Sequence, residues 1–353
     1  MIIYIMYICI FFTKTIGMRI EKILSATNLN SSWDKLTESV YQSSDFLIHL
    51  EQNNPCCQRY YLLYNEDRLI AGAIVYSLKI NLLTFSKFKL NLPFTIIGVP
   101  CSVDGNAIIG DEKYYNLLIE YILKEEKGII LCLNYDNPLK VNGIIQMQTL
   151  PTIVFENNFN SWEDYLNELK HNYRRRVSQA LRKYDGIIKT SEACNTFTDN
   201  HYSQYLSIME KTKTKLEILS KDFFQNLNNN FVLHSLYKDE NLLTWHITTK
   251  DNRNANLMYY FLFGGINYSL RDKYDSYFNN LISIIQEGIE LKAKKISLGQ
   301  TAEISKIRLG GELIPKRMFL YHSNRIINLL LYTFRNQLTN KSKSIQANIY
   351  KTH

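Results

Sequence analysis

The fold is decided by residues 60–77, YYLLYNEDRLIAGAIVYS, because the same pattern returns at residues 233–250, LHSLYKDENLLTWHITTK. Aligning Tyr64 with Tyr237 superimposes two apolar runs in each stretch, with a short acidic turn between them. Two apolar runs joined by a tight polar turn are typical of a β-hairpin. The sequence therefore predicts one such hairpin in each half of the chain.

The segments that follow the two hairpins also match in order. After the first come an extended apolar piece, a helix and a buried strand, with the sequences FTIIGVPCS, EKYYNLLIEYILKEE and GIILCLN. After the second come LMYYFLFGG, SYFNNLISIIQEGIELKA and KKISLG. A hairpin supplies antiparallel strand pairs, and a helical crossover supplies a parallel pair. We therefore expect an α/β chain of two tandem, related domains with mixed, mainly antiparallel sheets.

Domain boundaries follow from this repeated order. The opening MIIYIMYICIFF is shorter than the ~20 residues that span a bilayer, and no positive charge precedes it as in a secretory signal. Because the chain reads as an ordinary start from Met18, a misassigned start is favoured over a short membrane anchor. The predicted divisions are an apolar extension (1–17), an N-terminal domain (18–150), a linking strand and basic helix (151–186), a C-terminal domain with the active site (187–325), and a C-terminal helix and disordered tail (326–353).

Composition narrows the classes of function. The 353 residues carry a net charge of +8, which favours an anionic partner without marking a dedicated nucleic-acid binder. The six cysteines form no C-x-x-C pair, so we expect neither a zinc site nor a disulfide scaffold, but reduced thiols in the cytoplasm. The sequence has no G-x-S-x-G or H-E-x-x-H motif, which argues against a hydrolase and against a metal site.

Much of the positive charge lies in one predicted helix, residues 161–184, with Ser161 as its N-cap and Asp164 in capping-box spacing. Its second half contains no acid and six basic residues, namely Lys170, Arg174, Arg175, Arg176, Arg182 and Lys183. Such residues either stabilise the helix by interacting with the negative end of its dipole at the C-terminus, or bind an anionic ligand. The second interpretation makes Arg174, Arg175 and Arg176 the candidate donor-binding residues.

Hairpin, strand, helix and strand is the central order of the GNAT acyltransferase fold. The sequence resembles its tandem group, which includes the Fem peptidoglycan aminoacyl transferases and CelD-like proteins. Residues 150–183, LPTIVFENNFNSWEDYLNELKHNYRRRVSQALRK, look like the linker between the halves in that group. Residues 298–322, LGQTAEISKIRLGGELIPKRMFLYH, look like its closing segment, with marked positions at Lys306, Arg308, Gly310, Pro315, Tyr321 and His322. The resemblance covers residues 19–324.

The closing segment supplies the candidate catalytic side chains. Acyl transfer to an amine needs a base for the ammonium proton, donors for the developing oxyanion, and positioning. Glu303 or His322 is the expected base, and Lys306 with Arg308 is expected to hold an anionic substrate from one side of an extended segment. Three of these residues also have a non-catalytic interpretation. Lys306 could be a solvated loop lysine, Glu303 a surface acid, and His322 a hydrogen-bonded core residue.

Further substrate contacts are expected from Tyr260, Tyr277, His246 and Gly310. Strand alternation points Trp245 and His246 to opposite faces, so one of them faces the core or the cleft. A glycine such as Gly310 lets the backbone approach a ligand or turn sharply. The resemblance also implies that the main chain of LMYYFLFGG donates to the oxyanion.

The resemblance implies an N-acyltransferase that uses an acyl-CoA or acyl-carrier-protein thioester as donor, with no tightly bound cofactor. One departure is that the pyrophosphate loop, Q/R-x-x-G-x-G/A, is absent from GNAIIGDEKYY and SLRDKYDSYF. Aminoacyl-tRNA is therefore the alternative donor, and a non-catalytic, anion-binding protein is the alternative of another class. The expected partners are a small or lipid-linked amine acceptor, a carrier protein or tRNA, and a membrane surface contacted peripherally.

Overall fold

A computed structural model describes residues 11–12, 17–81, 91–212, 216–253, 256–340 and 347–351. The strands are β1 (Phe11–Phe12), β2 (Met18–Ile23), β3 (Arg59–Asn65), β4 (Arg68–Asn81), β5 (Asn91–Ile97), β6 (Ile108–Gly110), β7 (Ile129–Tyr135), β8 (Ile145–Gln148), β9 (Thr152–Glu156), β10 (Ile188–Ala193), β11 (Phe231–Lys238), β12 (Asn241–Asp251), β13 (Met258–Ile266), β14 (Lys295–Ser297), β15 (Glu312–Ile314) and β16 (Arg317–His322). The helices are α1 (Ser31–Asp34), α2 (Ser44–Asn53), α3 (Tyr115–Glu125), α4 (Trp162–Glu168), α5 (His171–Lys183), α6 (Asp199–Lys211), α7 (Lys221–Gln225), α8 (Arg271–Tyr274), α9 (Ser276–Glu290), α10 (Glu303–Ile307), α11 (Arg325–Thr333) and α12 (Arg335–Leu338).

The chain divides into two compact units. The first comprises the described residues of Met1–Thr149 and Lys316–Lys341, and the second those of Leu150–Pro315 and Ser342–His353. The predicted apolar extension, 1–17, lies almost wholly outside the described residues. Of the helices in the described ranges, none has the length and apolar character needed to cross a bilayer.

Apart from β1 and β6 of the first sheet, the two units are built on sheets of the same topology, which confirms the predicted tandem α/β fold. The first sheet has the order β1-β2-β3-β4-β5-β7-β16-β8, with β6 beside β4. The second has the order β10-β11-β12-β13-β14-β9-β15. In each sheet one neighbouring pair is parallel, β5 with β7 and β13 with β14, because α3 or α9 connects those strands as a crossover.

The two hairpins also share their register. Tyr64 pairs with Leu69 in the first unit, and Tyr237 pairs with Leu242 in the second. In both hairpins the register shifts by a bulge immediately before that tyrosine. The same irregularity at the same place supports a common origin of the two units more strongly than the hairpins alone.

Each sheet is completed by a strand from a distant part of the chain. β16, from the end of the closing segment, lies between β7 and β8 in the first sheet. β9, from the predicted linker, lies between β14 and β15 in the second. The units therefore differ from the predicted divisions, because residues 316–325 belong to the first unit and residues 151–186 belong to the second.

The predicted helix at residues 161–184 is two helices, α4 and α5. Ser161 caps the first as expected, since its side chain accepts from the Asp164 N–H at 3.1 Å. The break falls at Leu169, which forms a β-bridge with Tyr350, while the Lys170 N–H donates to the Ile349 carbonyl at 2.8 Å. The prediction of one continuous helix was wrong because the chain terminus pairs there, and Ile349 is buried rather than part of a disordered tail.

Candidate active site

The parallel strands of the second sheet separate partway along their length. Met258, Tyr259 and Tyr260 pair with the three residues of β14, after which β14 ends at Ser297. β13 continues to Ile266 and keeps its pairing with β12 on the other side. Among the described strands, none pairs with this edge of β13 beyond Tyr260, so the edge borders a gap in the sheet where main-chain groups could contact a ligand.

A β-bulge lies in β13 at this gap. Thr248 of β12 pairs with Phe261, and the preceding Ile247 pairs with Phe263, so Leu262 is an extra residue. A bulge leaves the extra residue out of the ladder and re-aims its backbone. In the first unit, the described pairing of β4 with β5 covers Val75 to Asn81; Val75 aligns with Thr248, so this pairing ends where the equivalent of the bulge would begin. The bulge at Leu262 is suited to presenting a main-chain N–H to an oxyanion.

The loop after β14 has an unusual backbone. Thr301 and Ala302 have φ of 63° and 50°, a left-handed conformation that is an outlier for β-branched threonine. Such residues cost about 1–3 kcal/mol each and cluster at functional sites. Gln300 anchors this loop, since its side-chain amide donates to the Leu150 carbonyl at 2.7 Å.

Lys306 stabilises the same loop through hydrogen bonds to its main-chain carbonyls. Its Nζ donates to the carbonyls of Gly299 at 3.3 Å and Gln300 at 2.8 Å, and the residue is only 2% exposed. The expected extended segment is wrong, because Lys306 lies in α10 and Arg308 at its C-cap is exposed. The two side chains therefore do not share a side. The catalytic role of Lys306 stays a prediction.

The other residues of the closing segment are dispersed. Glu303 is half-buried in the first turn of α10, near the strained loop. Gly310 has φ of 97°, and a Cβ there would overlap the Tyr350 hydroxyl, so close packing explains this glycine. His322 lies in the first unit, where its Nδ1 accepts from the Asn324 N–H at 2.9 Å. The structure thus places Glu303 and Lys306 in one unit and His322 in the other.

A basic groove lies at the N-terminus of α9. Its volume is about 570 Å³, and its lining consists of Arg176, Gln179, Arg182, Lys183, Asp272 and Asp275. Asp275 has φ of 53° and forms an ion pair with Arg176 at 2.5 Å. The Lys183 ammonium group donates to the Asp272 carbonyl at 3.1 Å. Of the predicted donor-binding arginines, Arg176 lines this groove, whereas Arg174 and Arg175 do not.

The remaining predicted contacts lie on β12, β13 and α9. Tyr260 is buried beside Ser297, and burial raises the pKa of Tyr277. Trp245 and His246 do face opposite ways: the Trp245 indole donates to the His201 carbonyl, and His246 Nδ1 lies 2.6 Å from the Asn280 amide oxygen. Since His246 is fully buried beneath α9, its substrate contact stays a prediction.

Sequence reasoning missed a polar cluster formed by the buried His234 and His246 and the half-buried Glu287. The two imidazoles stack at 4.6 Å, and His234 Nε2 lies 3.5 Å from the Glu287 carboxylate. Both His234 nitrogens already bond hydroxyl groups, at 2.8 Å each. Zinc needs nitrogen atoms converging at about 2.0–2.1 Å, and stacked rings do not direct their in-plane lone pairs to one point. This cluster therefore does not match a metal site.

Comparison with known proteins gives similarity in structure only. No protein-family model matches the sequence, and a search of curated proteins finds no match. A conserved protein of unknown function from Bacteroides thetaiotaomicron VPI-5482 has a TM-score of 0.52 at 8% identity, covering 84% of this chain and 97% of its own. A tandem GNAT protein from the clavulanic acid biosynthesis pathway has a TM-score of 0.50 at 8% identity, covering 86% and 99%. FemX has a TM-score of 0.49 at 12% identity, covering 78% and 90%.

The chain has a tandem GNAT fold. In this fold the gap between β13 and β14, the bulge at Leu262 and the groove at α9 all belong to the second GNAT unit. The loop from β13 to α9, residues 267–275, contains no glycine, so it cannot form a glycine-rich phosphate cradle. A phosphate group in this groove would therefore meet side-chain cations such as Arg182 and Lys183 instead of a main-chain cradle.

Proposed function

We propose that the protein is an N-acyltransferase whose active site is the gap between β13 and β14 in the second GNAT unit. The observation that carries this proposal is the bulge at Leu262, beside the point where the two strands separate. A main-chain donor at this position would stabilise the charge that develops on an acyl carbonyl oxygen.

The proposed reaction forms a bond between the amine nitrogen of the acceptor and the acyl carbon. The bond from the acyl carbon to the donor sulfur breaks, and the thiol leaves with a proton. Glu303 is the proposed base because it lies half-buried in α10, directly after the strained loop at the end of β14. Lys306 positions that loop by holding the carbonyls of Gly299 and Gln300.

The donor is proposed to be an acyl thioester with an anionic carrier, either coenzyme A or a carrier protein. Arg182 and Lys183 are exposed and line the groove where α9 begins. The positive end of the α9 dipole favours an anion there. Asp275 works against a phosphate on the first turn of α9, although Arg176 neutralises it through their ion pair.

The test is thiol release from acyl-CoA and acyl-carrier protein, measured with a panel of amino acids, amino sugars and polyamines. Deletion of Leu262 removes the bulge while Phe263 stays opposite Ile247, so thiol release should fall at least tenfold. Because Leu262 is buried and its loss lowers stability, the assay is run well below the melting temperature of the variant, with circular dichroism as the check that it is folded. Consumption of aminoacyl-tRNA instead of thioesters would replace this donor with the alternative one. Absence of transfer from every donor would favour a non-catalytic protein.

A further inference from the structure

Within the described part of the chain, helix α11 contacts the rest of the first unit through one face. Asn328 connects it to the body of the unit, since its amide donates to the Gly143 carbonyl at 2.8 Å and its oxygen accepts from the His322 N–H at 3.0 Å. Leu331 packs against a buried apolar cluster beside β16. Asn328 and Leu331 lie three residues apart, which places them on the same face of the helix.

The opposite face of α11 is apolar and exposed. Ile326, Leu329 and Leu330 are 72%, 63% and 54% exposed, and Phe334 at the end of the helix is 52% exposed. Their spacing of three or four residues makes them one continuous stripe. A contiguous apolar patch of this kind marks an interaction surface or a membrane contact, whereas single exposed apolar residues are ordinary.

The charged residues of α11 and of the chain on either side of it are basic. Arg325 begins α11 and Arg335 follows it, and the sequence contains no aspartate or glutamate after Glu312. The Arg335 guanidinium group lies 3.8 Å from the centre of the Tyr332 ring, so an aromatic ring and a cation stand together at the end of the helix. An apolar face flanked by arginine and aromatic residues is typical of helices that lie in the membrane interface.

We propose that α11 docks the protein on an anionic lipid surface, with Ile326, Leu329, Leu330 and Phe334 among the acyl chains. Nine residues of helix extend about 14 Å, so the helix lies on the bilayer and does not cross it. Arg325 and Arg335 would remain at the level of the headgroups, where anionic lipids attract them. Self-association is less favourable, because two antiparallel copies of α11 would bring their arginines together with no acid on the helix to offset them.

The experiment is flotation of the full chain with two kinds of vesicle, phosphatidylcholine alone and phosphatidylcholine with phosphatidylglycerol. The variant Ile326→Gln/Leu329→Gln/Leu330→Gln should lose at least tenfold in binding to the anionic vesicles. A matched control is Leu24→Gln/Ile188→Gln/Ile218→Gln, which removes three apolar residues that are between 50% and 63% exposed elsewhere. The control should bind like the unmodified chain, and Arg325→Gln/Arg335→Gln should remove the preference for anionic lipid.

Three results would overturn the proposal. The first is no binding of the unmodified chain to either vesicle, and the second is equal binding by the α11 variant and the control. The third is a dimer, measured by sedimentation, that the α11 substitutions dissociate while vesicle binding is absent. That result would assign the apolar stripe to contact between copies of the chain.

Discussion

The proposed donor site in the groove at α9 can be tested with a matched control, because helix α5 carries basic residues that line the groove and others that do not. Arg182 and Lys183 line the groove, whereas Arg174 and Arg175, on the same helix, do not. The double substitutions Arg182→Gln/Lys183→Gln and Arg174→Gln/Arg175→Gln remove the same charge. Arg176 is left in place because its ion pair with Asp275 holds the start of α9.

The expected loss of binding free energy follows from the solvent exposure of Arg182 and Lys183. Both groove cations are exposed, so each contributes about 0.5–1 kcal/mol to binding an anion. Loss of the pair should therefore weaken binding by about 1–2 kcal/mol, which is roughly a five- to thirtyfold increase in Kd. The control pair should change the Kd by less than about twofold at moderate salt, since distant exposed charges are screened.

Isothermal titration calorimetry with coenzyme A, and with inorganic pyrophosphate as a smaller probe, measures both variants against the unmodified chain. The loss in the groove variant should shrink as salt is added, because the contacts are electrostatic. Equal Kd values for the two variants, or a larger loss in the control, would refute the assignment of the groove as a donor site.

Three further predictions concern the fold around the site. Lys306→Met should lower the free energy of unfolding, measured in urea, by about 2 kcal/mol, because the variant loses a buried charged donor to two carbonyls. The control Arg308→Met, at an exposed position, should change the free energy of unfolding by less than about 0.5 kcal/mol. Gly265→Ala should destabilise the protein by about 1–3 kcal/mol, since its Cβ would overlap the buried Trp245 ring; an unchanged melting temperature would contradict the packing. Burial lowers the pKa of His234 to about 4. Between pH 6.5 and pH 4 the unfolded state therefore binds a proton on His234 that the folded state does not. As the pH falls from 7 to 5, this difference should lower the free energy of unfolding by about 2 kcal/mol. His234→Gln should reduce that pH dependence, and an unchanged pH dependence in this variant would contradict the assignment.

Local patterns predicted the repeated architecture well. The stripe of α9 is buried as its spacing indicates, including Leu281, Ile285 and Ile289. Alternation correctly separated Trp245 from His246. These features depend on side-chain periodicity within one strand or helix, and short-range sequence encodes that periodicity directly.

Long-range pairing was not predictable in the same way. The ends of the units depend on β16 and β9 joining distant strands, and the break at Leu169 depends on Tyr350 near the chain terminus. The mixed polar sequence around Lys306 is compatible with an exposed loop and with a buried helical turn, so it did not distinguish between them. The bulge at Leu262 had only an indirect signal, the glycine pair that follows it, because a bulge depends on the register of the neighbouring strand.

Hydrogen–deuterium exchange with and without donor tests the central claim most directly, because the two GNAT units serve as each other's control. The claim predicts that coenzyme A or its thioester slows exchange at Phe261–Gly265, where β13 borders the gap, and at the first turn of α9. Residues 94–98 of the first unit should exchange at an unchanged rate. Protection in the first unit alone, or transfer activity with no protection at Phe261–Gly265, would contradict the placement of the active site in the second unit.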